Sequence, residues 1–233
     1  MSQTTLKIIA ITTMLIDHIG AVILLPMAAQ GDFVELYWTT RYIGRMAFPI
    51  FAYLIAVGCV YTKNINFYAL RLGVFALISQ IPFSLALGSE INFASHTNIF
   101  YTLFLAVVAI KIYKMFQKGD KSRYFAALVA LPPAAFLAHF LGADFGAFGV
   151  LLIFFIYMFN PLNKLHAAGV VASFMVYRHF LHNPLFLTFG ILAAVCIYFN
   201  NQMRKPQSPI LKHFFYMFYP LHLAILALFV TIM

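Results

Sequence analysis

An apolar run over residues 6–29 is long enough to cross a bilayer as one helix, and Asp17 and His18 stand in its middle. Water is scarce at that depth, and a charged side chain there costs on the order of 3 kcal/mol or more. Hydrocarbon offers no partner for open backbone N–H and C=O groups, so the run must satisfy its own backbone as a helix. Asp17 and His18 are then expected to face other helices rather than lipid. Lys7 lies eleven positions before His18. On a helix those two side chains project about 20° apart, separated by about 16 Å along the axis. A cation at one membrane surface is thus aligned with an imidazole near the bilayer centre, and we read that geometry as belonging to a membrane enzyme.

Composition narrows the choice further. Hydrophobic residues make up 64% of the chain and charged residues 9%, against about 45–50% and about 25% in soluble domains. Mean hydropathy is +0.91. These values exclude a soluble globular domain. At about 20 apolar residues per crossing, the 233 residues fit a single integral membrane domain, 1–233, with short loops. The first run is too long and too polar in its middle for a cleaved signal, so it is expected to be retained. Cys59 and Cys196 lie in apolar runs and are expected to be small buried hydrophobes. The formal net charge of +9 is expected to serve loops facing anionic lipid rather than a nucleic-acid surface.

The expected fold class is all-α, a polytopic transmembrane helical bundle of about nine spans: 6–29, 43–61, 67–88, 98–116, 123–141, 144–160, 166–182, 184–200 and 211–232. Gly88, Gly119, Gly142, Asn160-Pro161 and Asn183-Pro184 mark several breaks. Pro132-Pro133 predicts a kink or break in the fifth span. With nine crossings, Arg41, Arg45 and Arg178 are the only members of the 15 Lys and Arg residues opposite the N-terminal side. Positive residues concentrate in cytoplasmic loops. The N-terminus is therefore expected in the cytoplasm, the C-terminus outside, and the protein in the cell (plasma) membrane.

Several polar residues do not suit lipid. Asp17 and His18 are adjacent and point about 100° apart, so one can line a cavity while the other braces a neighbouring helix. A structural interhelical hydrogen bond is the plainer alternative. Histidine is also the side chain best suited to proton transfer near neutrality. His222 lies ten residues after Lys212 in the last span, at a depth like that of His18, behind Tyr216, Tyr219 and Pro220. A lone His on an apolar helix is usually a satisfied core residue, but the matching depth makes this one a site candidate. Arg41 and Arg45 share one helical face at the outer end of the second span. They can clamp a carboxylate or an oxyanion, or snorkel to head groups. Gln80, beside Pro82, is a cavity candidate, while Asn98 is either a helix cap or an acceptor contact. Asp144 reads as an N-cap. Lys7, Arg71, Lys205 and Lys212 can form a basic cytoplasmic rim suited to a phosphorylated cofactor such as coenzyme A. No His/Cys/Asp grouping has zinc spacing, and no glycine-rich phosphate loop or serine elbow occurs.

Four stretches carry a resemblance. Residues 6–20 with Lys7, Asp17 and His18, residues 43–52 with Arg45 and Pro49, residues 71–83, and residues 212–222 ending at His222 resemble the TraX family over nearly the whole chain. That family is named for the conjugation protein that N-acetylates F-type pilin. It is similar to the wider class of integral-membrane acyltransferases, which carry a basic residue, ten intervening residues and a histidine in the first helix. Lys7 and His18 match that spacing, with Lys where Arg is commoner; the charge is kept and the bidentate fork is lost. The resemblance implies an acetyl-CoA-dependent N- or O-acyltransferase without a metal. Its acceptor would be a protein N-terminus, such as that of a pilin, or a glycan or lipid hydroxyl.

The expected mechanism follows from the alignment of Lys7 and His18. Basic residues at the rim (Lys7, Arg71, Lys205, Lys212) hold the coenzyme A phosphates. His18 acts as general base or forms an acyl-imidazole, and Asp17 orients it or a neighbouring helix. Arg45, His222 or Gln80 steadies the oxyanion or places the acceptor, with Arg41 and Asn98 as further acceptor contacts. Two rival readings use the same residues: a non-catalytic assembly factor for surface structures, and a proton-coupled transporter. The transporter predicts inverted repeats, and the sequence contains none.

Overall fold

A computed structural model describes residues 1–119, 122–179, 184–200 and 209–232. Among them all regular structure is helical: α1 (Gln3–Ile19), a π-helical turn (Gly20–Leu24), α2 (Leu25–Ala29), α3 (Val34–Gly44), α4 (Ala47–Tyr61), α5 (Ile65–Ala86), α6 (Ile99–Phe116), α7 (Arg123–Phe140), α8 (Gly146–Met158), α9 (Lys164–His179), α10 (Pro184–Tyr198) and α11 (Pro209–Ile232). Six stretches among the described residues are long and apolar enough to cross a membrane, as the all-α membrane reading requires.

The expected boundaries change in two places. The second span was expected at 43–61, but helix runs over Val34–Tyr61, 28 residues with a short break between α3 and α4. Arg41 and Arg45 therefore sit well inside a long helical stretch, not at its outer end. Among the described residues the expected sixth to eighth spans are helices of 13, 16 and 15 residues. At 1.5 Å per residue they reach only about 20–24 Å, short of the roughly 30 Å hydrocarbon core. The expected alternation of charge depends on all three of them crossing. Pro132 and Pro133 both lie inside an unbroken α7, contrary to a break there. Asp144 does not cap α8, whose N-cap is Phe145 in the left-handed region, without a side-chain cap.

The chain forms two compact units. Unit 1 comprises Met1–Phe51, Ile81–Glu90 and Leu162–Met233. Within it α3 packs on α1 and the π turn, α11 packs on the same two elements, and α10 packs on α9 and α3. Leu6, Ala10 and Met14, at i, i+4 spacing, form the buried stripe of α1. Tyr219, Leu223, Leu226 and Ala227 form that of α11. Ser2 starts α1 by accepting a hydrogen bond from the Thr5 N–H at 3.0 Å.

Unit 2 comprises Ala52–Gln80 and Ile91–Pro161. Here α6, α7 and α8 pack on one another. Ala126, Ala130, Ala134 and Ala138, spaced by four, are the buried stripe of α7 and let it approach its neighbours closely. The opposite face shows Leu128, Phe136 and Phe140, each about 70% exposed. A helix apolar on both faces belongs in lipid. Part of the basic group at 111–123 is explained by helix ends. Lys114 donates to the Cys59 carbonyl at 2.8 Å, and Arg123 donates to the Met158 carbonyl at 2.8 Å. Both carbonyls lie in the last turn of a helix, where the backbone lacks partners and cations are favoured. Cys59 is buried, and neither cysteine is in a disulfide.

Candidate functional site

The site grows from one helical step. Adjacent residues on α1 diverge by about 100°, and Asp17 and His18 meet different helices. Asp17 faces α3. Its Oδ2 lies 2.9 Å from Arg41 Nη1 and its Oδ1 3.0 Å from Arg45 Nη2. Arg41 Nη1 also reaches the Asp17 carbonyl at 3.2 Å, and Arg45 Nε donates to the Arg41 carbonyl at 3.2 Å. One carboxylate thus holds two guanidinium groups, leaving the cluster with a formal charge of +1.

Two glycines make the approach feasible. A Cβ on Gly44 would collide with the Asp17 carboxylate, and one on Gly20 would collide with the Thr40 hydroxyl. The two helices therefore meet with a glycine of each against a polar side chain of the other. Small residues at such crossings let backbones come close in a membrane. Just after this contact the helix widens into the π turn, Gly20–Leu24, where an extra residue is taken into one turn. Pro26 then sits in the first turn of α2 and has no N–H to return to the widened turn.

His18 faces α11. Its Nδ1 lies 2.8 Å from His222 Nε2. His222 Nδ1 lies 2.7 Å from the Phe218 carbonyl oxygen. A carbonyl only accepts, so His222 carries its hydrogen on Nδ1. In the neutral ring its Nε2 is then an acceptor, and His18 must donate from Nδ1. The proton positions follow in one direction, and they leave the lone pair of His18 on Nε2. That atom has no hydrogen-bond partner among the described residues. Tyr219 packs edge-on to both imidazoles, with centroids 5.8 Å from His18 and 5.6 Å from His222. Lys7 faces α11 as well, its Nζ 5.0 Å from the centre of the Phe215 ring. Lys7 and His18 therefore lie on the same side of α1.

A profile of the family described as TraX protein matches residues 2–230. The chain belongs to the TraX family. A probable fimbrial assembly protein FimC, serogroup H1, from Dichelobacter nodosus, is 24% identical over 242 residues, covering 97% of this chain and 94% of that one. No solved structure matches.

The other expected site residues of this TraX-family chain divide three ways. Gln80 and Asn98 are brought together, both fully buried, but not as acceptor contacts. Gln80 Nε2 donates to the Asn92 and His96 carbonyls at 2.7 and 3.2 Å, and Asn98 Nδ2 donates to the Ala76 carbonyl and Gln80 Oε1 at 2.7 and 2.8 Å. Asn98 Oδ1 caps α6 through the Phe100 N–H at 3.0 Å. Every amide N–H of the pair is engaged, so the two form a structural clasp within unit 2. Arg71 is exposed on α5, its guanidinium 5.7 Å from the Tyr68 ring centre. Lys205 and the side chain of Lys212 lie outside the described residues. No group of three or more metal-ligating side chains occurs among the described residues.

Gly20, Gly44, Tyr219 and Phe186 were not expected at the site. Arg45 lies 5.5 Å from the Phe186 ring centre. A signal for the glycines was present, because each stands within two residues of a charged or titratable group inside an apolar helix.

Proposed function

We propose that this membrane protein is an acyltransferase that moves an acetyl group from acetyl-coenzyme A to an amine or hydroxyl, with His18 as general base. The observation that carries the reading is the chain of hydrogen bonds from His18 Nδ1 to His222 Nε2 and from His222 Nδ1 to the Phe218 carbonyl. With both rings neutral, that chain supports the reading by leaving Nε2 of His18 as the atom available to act as base. In the step, Nε2 takes the proton of the acceptor amine or hydroxyl as that atom attacks the thioester carbonyl. The new C–N or C–O bond forms, the C–S bond breaks, and the proton passes to the coenzyme A thiolate. His222 accepts from His18 Nδ1 throughout and steadies the imidazolium. General base action of this kind typically contributes about 10²–10⁴-fold.

Asp17 braces α1 against α3 and so holds the angle at which His18 projects. Arg45, expected to steady the oxyanion or place the acceptor, is largely committed to Asp17, which leaves Nη1 for the second role. Lys7 is the proposed contact for the coenzyme A phosphates, with the N-terminus cytoplasmic in the cell membrane and the C-terminus outside. A pilin N-terminal amine as acceptor would join the acetylation reading to the relative named for fimbrial assembly.

The test uses the purified full-length protein, wild type and His18→Gln, with acetyl-coenzyme A. Calorimetric binding to both and slow thioester hydrolysis by wild type alone is the expected result. Equal hydrolysis by the two removes His18 from the chemistry, and absence of binding to folded wild type removes the acyltransferase.

A second reading has its own observation, the similarity to a Dichelobacter nodosus protein named for fimbrial assembly. In it the chain is a non-catalytic assembly factor whose polar groups hold helices together. That reading expects Asp17→Asn combined with His18→Gln to preserve assembly of surface fibres, because hydrogen bonding survives without the base.

A further inference from the structure

The Asp17, Arg41 and Arg45 cluster contains more cation than its own carboxylate neutralises. Two guanidinium groups against one carboxylate leave +1 inside long apolar helices, where an unbalanced charge is costly. The hydrogen bonds are equally incomplete. Arg41 uses only Nη1, on the Asp17 carboxylate and carbonyl. Arg45 uses Nε and Nη2. Arg41 Nε and Nη2 and Arg45 Nη1 have no hydrogen-bond partner among the described residues. The arginine side chains are 24% and 18% exposed, so a ligand can reach them. Beside them stands an aromatic wall. Trp38 and Tyr42 each pack edge-on to Phe186, with centroids 6.3 and 4.9 Å away, and Arg45 lies over that ring.

We infer that Arg41 and Arg45 form a binding site for a carboxylate on the acceptor substrate, so that the enzyme selects acceptors with an acidic group near the acetylated amine or hydroxyl. The inference rests on the acyl-transfer reading for the word acceptor. Charge favours a monoanion, which brings the cluster to zero, whereas a phosphate monoester dianion would leave −1 in the same apolar surroundings. The open Nε and Nη2 of Arg41 make one edge of a planar fork that a carboxylate fits with both oxygens. The site lies at the position next to His18, on a side of α1 about 100° away. A substrate held by its carboxylate at the arginines therefore presents its nucleophile from the side of α1.

The chain's single tryptophan, Trp38, is part of the wall and reports on it directly. Full-length protein in phosphatidylcholine nanodiscs is titrated with decanoate, decanol and phosphatidylglycerol while Trp38 emission is followed. Decanoate should give a saturable response and decanol none. Arg41→Gln, which brings the cluster to neutrality, should weaken decanoate by roughly tenfold or more, as expected for losing a hydrogen bond to a charged group. Asp17→Asn, which raises the cluster to +2, should bind it more tightly than wild type. A merely structural ion pair predicts no such ordering; Arg45→Gln replaces Asp17→Asn if the latter does not fold, and is expected to weaken binding as Arg41→Gln does. An equal response to decanol, or unchanged affinity in folded Arg41→Gln, overturns the site. A stronger response to phosphatidylglycerol overturns the carboxylate in favour of a lipid head group. The titration needs no acetyl-coenzyme A. A carboxylate response without thioester turnover keeps the anion site and removes acyl transfer, while turnover without the response removes the anion site alone.

Discussion

The polar groupings of the two units are built on opposite terms. The Gln80–Asn98 clasp in unit 2 is neutral, wholly buried, and has every amide N–H engaged. The Asp17–Arg41–Arg45 cluster and the His18–His222 pair in unit 1 carry a net charge and leave guanidinium N–H groups and one imidazole nitrogen without a partner among the described residues. A saturated cluster stabilises and offers nothing. An unsaturated one is costly unless a ligand completes it. In apolar surroundings, saturation separates structural polarity from functional polarity better than polarity itself does.

The sharpest way to break this comparison is to damage each side and read both activity and stability. His18→Gln should lower thioester turnover by about 10²–10⁴-fold while the thermal midpoint in detergent hardly moves. Gln80→Leu should do the reverse. It strands the buried amide of Asn98 and two carbonyls, at about 1–3 kcal/mol for each group left unsatisfied, so the folded fraction should fall and the remaining folded protein should turn over normally. Equal loss of activity in both variants would erase the distinction.

Gly44→Ala tests the crossing itself. Its methyl would occupy the space of the Asp17 carboxylate, and overpacking of this kind costs about 1–3 kcal/mol. A lowered melting temperature with reduced turnover is expected; an unchanged protein would mean the crossing is loose. A smaller effect is expected at His222. His222→Phe removes the acceptor of His18 Nδ1, and kcat should fall by at most about 10²-fold, the lower end of a general base contribution. Its KM for acetyl-coenzyme A should stay constant. The mildest change is Lys7→Arg, which keeps the charge and should leave KM for acetyl-coenzyme A within a few-fold of wild type, whereas Lys7→Ala raises it.

The fold was legible where helices are uniformly apolar, and α5, α6, α7 and α11 fall close to their expected limits. The second span was misplaced by nine residues because Glu35 and Arg41 in α3, and Arg45 just after it, dilute the hydropathy of this stretch. The two arginines share Asp17, which is 24 and 28 positions away in sequence. No local pattern reveals such a partner. Gln80 and Asn98 drew attention because amides near Pro82 suit a cavity lining equally well, and only the geometry shows that they close on one another. His222 was legible by depth alone, and its contact with His18 spans 204 positions. The direction of the proton chain needed the Phe218 carbonyl, which no side-chain pattern encodes.

The π turn after His18 bears on how this helix can change. A π turn is in effect a one-residue insertion absorbed without breaking the rod, and it shifts the angular phase of everything beyond it by about 100°. Residues 3–19 and 25–29 are therefore two phases of one rod, joined at Gly20–Leu24. Removing one residue from the turn would restore a single phase, so that Leu25 to Ala29 present different faces while Lys7, Asp17 and His18 stay in place. The upstream half holds Lys7, Asp17 and His18, so a deletion in the turn would change how the downstream half packs on α3 while those three residues keep their phase.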